Sequence, residues 1–162
     1  MTARSAILVP RPVRQAIVDH ARRERPLECC GFVVGVPGRA AFVVPMPNVA
    51  RSPVRFRIDD KAHIELRRVL RLVRPSMSII GVYHSHPVGE AWPSITDVDE
   101  AFYPEWMYLI VGFKGGRGIL RAFHIRRGAI ASVPLRCLRR PEYHHRLPIP
   151  VDPQERGAPQ SM

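Results

Sequence analysis

The sequence predicts an α/β domain with helices packed on a mixed sheet. Three observations carry that expectation. Short β-prone apolar runs recur from the first residues to about Val133. Two stretches, from Val13 and from Asp60, instead place apolar residues at helical spacing. These two kinds of segment alternate along the chain, the order that layers helices on a sheet. At 162 residues, with 46 % hydrophobic and 24 % charged residues, the chain is long enough for one ordinary soluble core.

Ala6-Ile7-Leu8-Val9 reads as a short strand, ended by Pro10 and Pro12. Pro12 suits the first turn of a helix. Val13, Ala16, Ile17 and Ala21 line one face of that helix, with Arg14, Gln15, Asp19 and Arg22 on the other. Phe32-Val33-Val34 is β-prone, Gly35 and Pro37-Gly38 turn the chain, and Ala40 to Val44 returns as a hairpin strand. Pro45, Pro47, Asn48, Ser52 and Pro53 make the next stretch irregular. Val54 to Ile58 alternates apolar residues with arginine, the pattern of a half-exposed strand. Asp59 is a good N-cap for a helix over about 60–73, whose apolar face is Ala62, Leu66, Val69, Leu70 and Val73. His63 on that helix reads as a surface or boundary residue. Ser78 to Tyr83 reads as a buried strand, and a short helix starts near Ser94 or Thr96 and runs to Phe102. Trp106–Phe113, Ile119–Ile125 and Ile130–Val133 complete the strands, separated by glycine turns. The domain is expected to span residues 1–138. Residues 139–162 carry five prolines and no apolar period, and read as a tail that wraps or is disordered.

No apolar run reaches the ~18 residues of a membrane span, and Ile7-Leu8-Val9 is too short for a signal core. A cytoplasmic protein is expected. Cys29, Cys30 and Cys137 are odd in number and form no C-x-x-C, which argues against a disulfide framework and a thiolate metal site. Reduced thiols are expected. The net charge of +11 is almost all arginine, spread along the chain rather than set in a stripe. That distribution does not favour nucleic acid, and it would help an acidic protein reach the molecule.

The chemistry gathers at Gly81 to Asp97, G-V-Y-H-S-H-P-V-G-E-A-W-P-S-I-T-D. His84 and His86 lie two apart on a strand, so both imidazoles leave the same face about 6–7 Å apart. Asp97 falls in the first turn of the next helix. Two imidazoles and a carboxylate form a zinc site with a fourth position left for water. Ser94-x-x-Asp97 also has the form of a capping box. Glu28 is an acid at the entry to an apolar strand, where it is paired, solvated at an edge, or functional. An unligated carboxylate is what a hydrolytic zinc site needs to take the water's proton. Trp92, between the ligands, either lines a substrate groove or packs.

The stretch H84-S-H-P, six residues, then S94-x-x-D97, preceded by P-L-E28-C-C-G-F-V-V-G, resembles the JAMM (MPN+) metalloprotease family, in particular its small stand-alone bacterial and archaeal members. The resemblance covers roughly Val13 to Val133. It implies a curved mixed sheet flanked by helices, similar to the zinc-dependent deaminases. It also implies Zn2+ held by His84, His86 and Asp97. Glu28 matches the acid that activates the attacking water and protonates the leaving amine. Ser94 matches the serine that helps hold the oxyanion. The implied substrates are amide or isopeptide bonds after the C-terminal Gly-Gly of ubiquitin-like proteins, in bacteria sulfur carriers and their peptide or amino-acid adducts. The chain lacks the long insertions of linkage-selective deubiquitinases. Two other readings stand beside it: a DNA-associated protein of RadC type, which shares a similar pattern, and a non-catalytic MPN scaffold. No helix-hairpin-helix stretch accompanies the first, and the second typically loses ligands that are all present here. A zinc deaminase is disfavoured because no P-C-x-x-C follows the histidines.

Overall fold

The computed structural model describes residues 6–137. Eight strands form one mixed sheet, curved and flanked by helices, in the order β7-β6-β5-β4-β2-β3-β1-β8. The strands are β1 (Ile7–Leu8), β2 (Cys30–Val36), β3 (Arg39–Met46), β4 (Ser78–His86), β5 (Met107–Lys114), β6 (Arg117–Arg126), β7 (Ala129–Val133) and β8 (Leu135–Arg136). The helices are α1 (Arg11–Glu24), α2 (Asp60–Val73) and α3 (Ile95–Asp99). β4 is central, antiparallel to β2 and parallel to β5. The stretch between β4 and β5 crosses over with the short α3, so the end of β4 opens at the sheet's C-terminal edge, where α/β sheets commonly place their sites.

Side-chain alternation divides the core in two. On one face Val33, Tyr83, Leu109 and Val111 pack with Val13, Ile17 and Ala21 of α1. On the other, Phe32, Val34, Val82, Tyr108 and Ile110 pack with Leu70 of α2. Each fully buried aliphatic side chain contributes about 1.5–3 kcal/mol relative to exposure. On the α1 face, buried His20 bonds Tyr83 Oη through Nδ1 at 2.8 Å.

Most elements fall where the pattern places them, with informative differences. α1 begins at Arg11, with Pro12 in its first turn as expected. α2 has the expected bounds, and Asp59 accepts the Ala62 N–H at 3.0 Å. Its apolar face is less covered than its spacing implies: Leu70 is buried, whereas Val73 is 64 % exposed. The expected strand over Val54–Ile58 does not form. Its backbone is engaged instead by Asn48, which receives the Arg57 N–H and donates to the Arg55 carbonyl. Val54 is 77 % exposed. α3 is shorter than expected and ends at Asp99.

Cys29 and Cys30 are buried and Cys137 is exposed. No helix among the described residues is long and apolar enough to cross a membrane. The expected tail over 139–162, with Tyr143, His144 and His145, lies outside the described residues.

Candidate metal centre and hydrolytic site

β4 carries His84 and His86 on the α2 face of the sheet, with Ser85 turned to the other. The chain leaves β4 through Pro87 and returns to cap α3 with Ser94. Ser94 Oγ accepts the Asp97 N–H at 3.1 Å, and Asp97 Oδ2 accepts the Ser94 N–H at 2.7 Å, a complete capping box. The box turns the Asp97 carboxylate back toward the end of β4. His84 Nε2 lies 3.1 Å from Asp97 Oδ1, His86 Nε2 lies 3.3 Å from Asp97 Oδ2, and the two Nε2 atoms are 3.1 Å apart.

Each ligand is held from behind. His86 Nδ1 meets the Glu90 carbonyl at 2.9 Å, which fixes its proton there and leaves the Nε2 lone pair for the centre. The His84 ring stacks on Phe56 at 4.5 Å between centroids. His84 is 1 % exposed and its Nδ1 has no hydrogen-bond partner, so the ring's polar engagement runs through Nε2 alone. Burial lowers the His84 pKa below its ordinary value. Burial opposes charge on His86 too, but the Asp97 carboxylate, the Glu90 carbonyl and Glu28 together outweigh it and the pKa rises. Asp97 is likewise desolvated, yet the two histidines against its oxygens hold it well below the usual carboxylate range.

These three residues offer two ring nitrogens and one carboxylate oxygen within 4.8 Å of one another. Converging lone pairs on two imidazoles and an anion leave a cation as their natural common partner. The N, N, O donor set and a remaining open position fit zinc in a catalytic rather than a structural site.

Glu28 lies just before β2 and is 4 % exposed. Burial pushes its pKa up to about 7, with His86 drawing it down and Asp97 driving it up, so its carboxylate lies within electrostatic reach of the ligands. Its main chain is held by two bonds to the irregular stretch after β3. The Glu28 N–H donates to the Ser52 carbonyl at 2.9 Å, and the Glu28 carbonyl accepts Asn48 Nδ2 at 3.1 Å. Behind it, Cys29 N–H donates to Ser85 Oγ at 2.9 Å and Ser85 N–H to the Cys29 carbonyl at 3.1 Å. A cleft beside His84 and Asp97 is lined by Val54, Phe56, Thr96 and Tyr108, with Arg55 and Glu100 ion-paired along it.

A profile described as prokaryotic homologs of the JAB domain matches residues 10–125. The chain belongs to this family. Similar proteins include the CysO-cysteine peptidase of Mycobacterium tuberculosis, 37 % identical over 123 residues that cover 74 % of this chain and 83 % of that one. They also include the probable TtuB-protein conjugate cleaving protease of Thermus thermophilus, 35 % identical over 116 residues covering 70 % and 75 %. The solution structure of protein DSY2949 from Desulfitobacterium hafniense superposes with a TM-score of 0.76 at 26 % identity, covering 86 % of this chain and 97 % of that one. In JAB-family terms, His84, His86 and Asp97 form the metal-ligand cluster of a JAMM zinc-protease site.

The structure thus brings His84, His86, Asp97 and Ser94 together and sets Glu28 within electrostatic reach of His86 and Asp97. Trp92 does not line the cleft next to the triad. It meets Phe123 edge-on at 5.2 Å and is 48 % exposed. His63 sits among Phe32, Tyr103 and Trp106, away from the ligands. His124, with no partner evident in sequence, faces the Trp106 carbonyl at 3.3 Å. Phe56, the Glu90 carbonyl and Asn48 were not singled out by sequence. Only Asn48 carried a signal, as turn chemistry between prolines.

Proposed function

We propose that this protein is a zinc-dependent peptidase that hydrolyses the amide bond after the C-terminal Gly-Gly of a ubiquitin-like sulfur-carrier protein. The observation that carries the proposal is the assembled triad with a buried, unligated acid next to it. The relatives support the substrate class: by name they act on CysO-cysteine and on TtuB-protein conjugates.

His84, His86 and Asp97 hold the metal. When bound, zinc supplies Lewis-acid chemistry, polarising the scissile carbonyl and making a water acidic enough to attack at neutral pH. Glu28 takes the proton of the attacking water on a carboxylate oxygen and delivers it to the leaving amine nitrogen. Ser94 Oγ accepts the Asp97 N–H through a lone pair, so its own hydrogen is available to the substrate oxygen as charge develops. Phe56, Val54 and Tyr108 give the cleft an apolar wall that favours an extended, small-residue tail. The catalytic unit is residues 1–138, and the buried free thiols of Cys29 and Cys30 suit the reducing cytoplasm. The triad argues against a non-catalytic scaffold, and the scattered arginines against a nucleic-acid role.

The test is incubation of the zinc-loaded protein with sulfur-carrier proteins extended beyond Gly-Gly, read by mass spectrometry. Cleavage after the second glycine is expected. Glu28→Gln is expected to keep about one zinc per chain and lose cleavage. Intact carriers with zinc-loaded wild type would overturn the reading, and normal cleavage by the variant would make Glu28 a structural acid.

A further inference from the structure

We infer that Asn48 is a positioning residue for hydrolysis, holding Glu28 in register with the metal ligands. The inference rests on the reading of Glu28 as the proton carrier.

The Asn48 amide is bonded to capacity. Its Nδ2 donates to the Glu28 carbonyl at 3.1 Å and to the Arg55 carbonyl at 3.0 Å. Its Oδ1 accepts the Ala50 N–H at 3.1 Å and the Arg57 N–H at 3.0 Å. Two carbonyls on one side and two N–H groups on the other fix the orientation of the amide, since a flipped group would face four like partners. The same residue's carbonyl accepts Arg51 N–H at 3.0 Å, and Val49 N–H donates to the Arg57 carbonyl at 2.9 Å. One side chain therefore closes the stretch 48–57 on itself and ties it to the acid.

Glu28 depends on that stretch more than on the sheet. The β2–β4 ladder begins at Cys30 paired with His84, and Glu28 lies outside it. Both hydrogen bonds of its own peptide groups go to residues 48 and 52. The stretch in turn leans on the metal centre through Phe56, whose ring stacks on His84. Asn48 thus connects the acid, which no ladder bond holds, to the ligand side of the site. Outer partners of this kind typically change activity 10–100-fold when removed.

The experiment is a double-mutant cycle on the zinc-loaded protein with an extended carrier as substrate. Asn48→Asp keeps the shape and the acceptor but removes both donors. It is expected to lower kcat about 10–100-fold, with KM within about threefold and the zinc dissociation constant unchanged. Glu28→Asp moves the carboxylate back by one methylene. In that background Asn48→Asp is expected to have a much smaller effect, because the acid is already out of register. Independently of activity, amide hydrogen exchange at Glu28 should accelerate in Asn48→Asp as its link to the stretch 48–57 is lost, while that of Arg57, whose acceptor is kept, and of β4 stays slow. If Asn48→Asp does not fold, Asn48→Ser, with one donor, goes through the same cycle. Effects that multiply unchanged in both backgrounds, or zinc affinity that falls in parallel, would overturn the inference while leaving Glu28 as proton carrier. An active Glu28→Gln would instead remove the reading beneath it.

Discussion

Ser94 serves the helix with its lone pair and is free to serve the substrate with its hydrogen. Ser94→Ala removes both at once. Loss of the cap costs about 1 kcal/mol, visible as a lower Tm. Loss of the oxyanion donor lowers kcat about 10²–10³-fold with KM little changed. A kcat that falls no further than the lost stability explains would reduce Ser94 to a cap. His20 gives a pH prediction on the opposite face of the sheet. Burial holds its pKa below the ordinary 6.5, against a weaker upward pull from Glu24. Below about pH 6.5 the unfolded chain therefore takes up a proton that the folded protein resists. The group's contribution is complete above that pH and is lost as pH falls through it. Urea unfolding of the metal-free protein at pH 7.5 and 5.5 should show a smaller acid loss for His20→Gln than for wild type. At this scale the ligands were legible because their relations are local: alternation fixes His84 with His86, and one helical turn fixes Ser94 with Asp97. Glu28 was visible as an acid out of place. Asn48 was not, because its partners at 28, 55 and 57 are brought to it by the fold.

Among the elements, the loop from Pro87 to Pro93 is held by its closeness to β5. A Cβ on Gly112 would run into the Ala91 nitrogen and the Glu90 carbonyl carbon. Phe113 N–H also donates to the Gly89 carbonyl at 3.0 Å. Gly112→Ala is thus expected to push away the Glu90 carbonyl that orients His86. Zinc affinity should fall about 10–100-fold, measured by competition with a chromophoric chelator. An unchanged affinity would show that His86 needs no such support. The strands of the sheet centre, β2, β4 and β5, could be read from apolar runs, since they are buried on both faces. Val54–Ile58 could not. Its alternation is that of a strand, but no neighbouring strand pairs with it among the described residues, and a side-chain amide takes its hydrogen bonds. Two-residue β8, at the sheet edge, has too short a pattern to register.

For the molecule as a whole, the metal is expected to be a stabiliser as well as a reagent. A ligand that binds only the folded state at 1,000 times its dissociation constant adds about 4 kcal/mol. Calorimetry should show Tm rising with free zinc and falling on chelation. A Tm indifferent to both would mean that the triad does not bind zinc in the folded protein. The fold class followed from the alternation of segment types, but the sheet order did not. β1 and β8 join the sheet beside β3, pairings made by contacts far apart in sequence.

Asp97 is both a ligand and the third residue of a helix, and one of its oxygens serves both roles. Oδ2 receives the Ser94 N–H and faces His86 Nε2. Two equilibria therefore share an atom: whatever draws the carboxylate toward the centre also draws on the bond that starts α3. Linkage makes this reciprocal. Amide exchange across residues 95–99 becomes a gauge of metal occupancy, and the factor by which bound metal stabilises that turn is the factor by which the formed turn raises metal affinity.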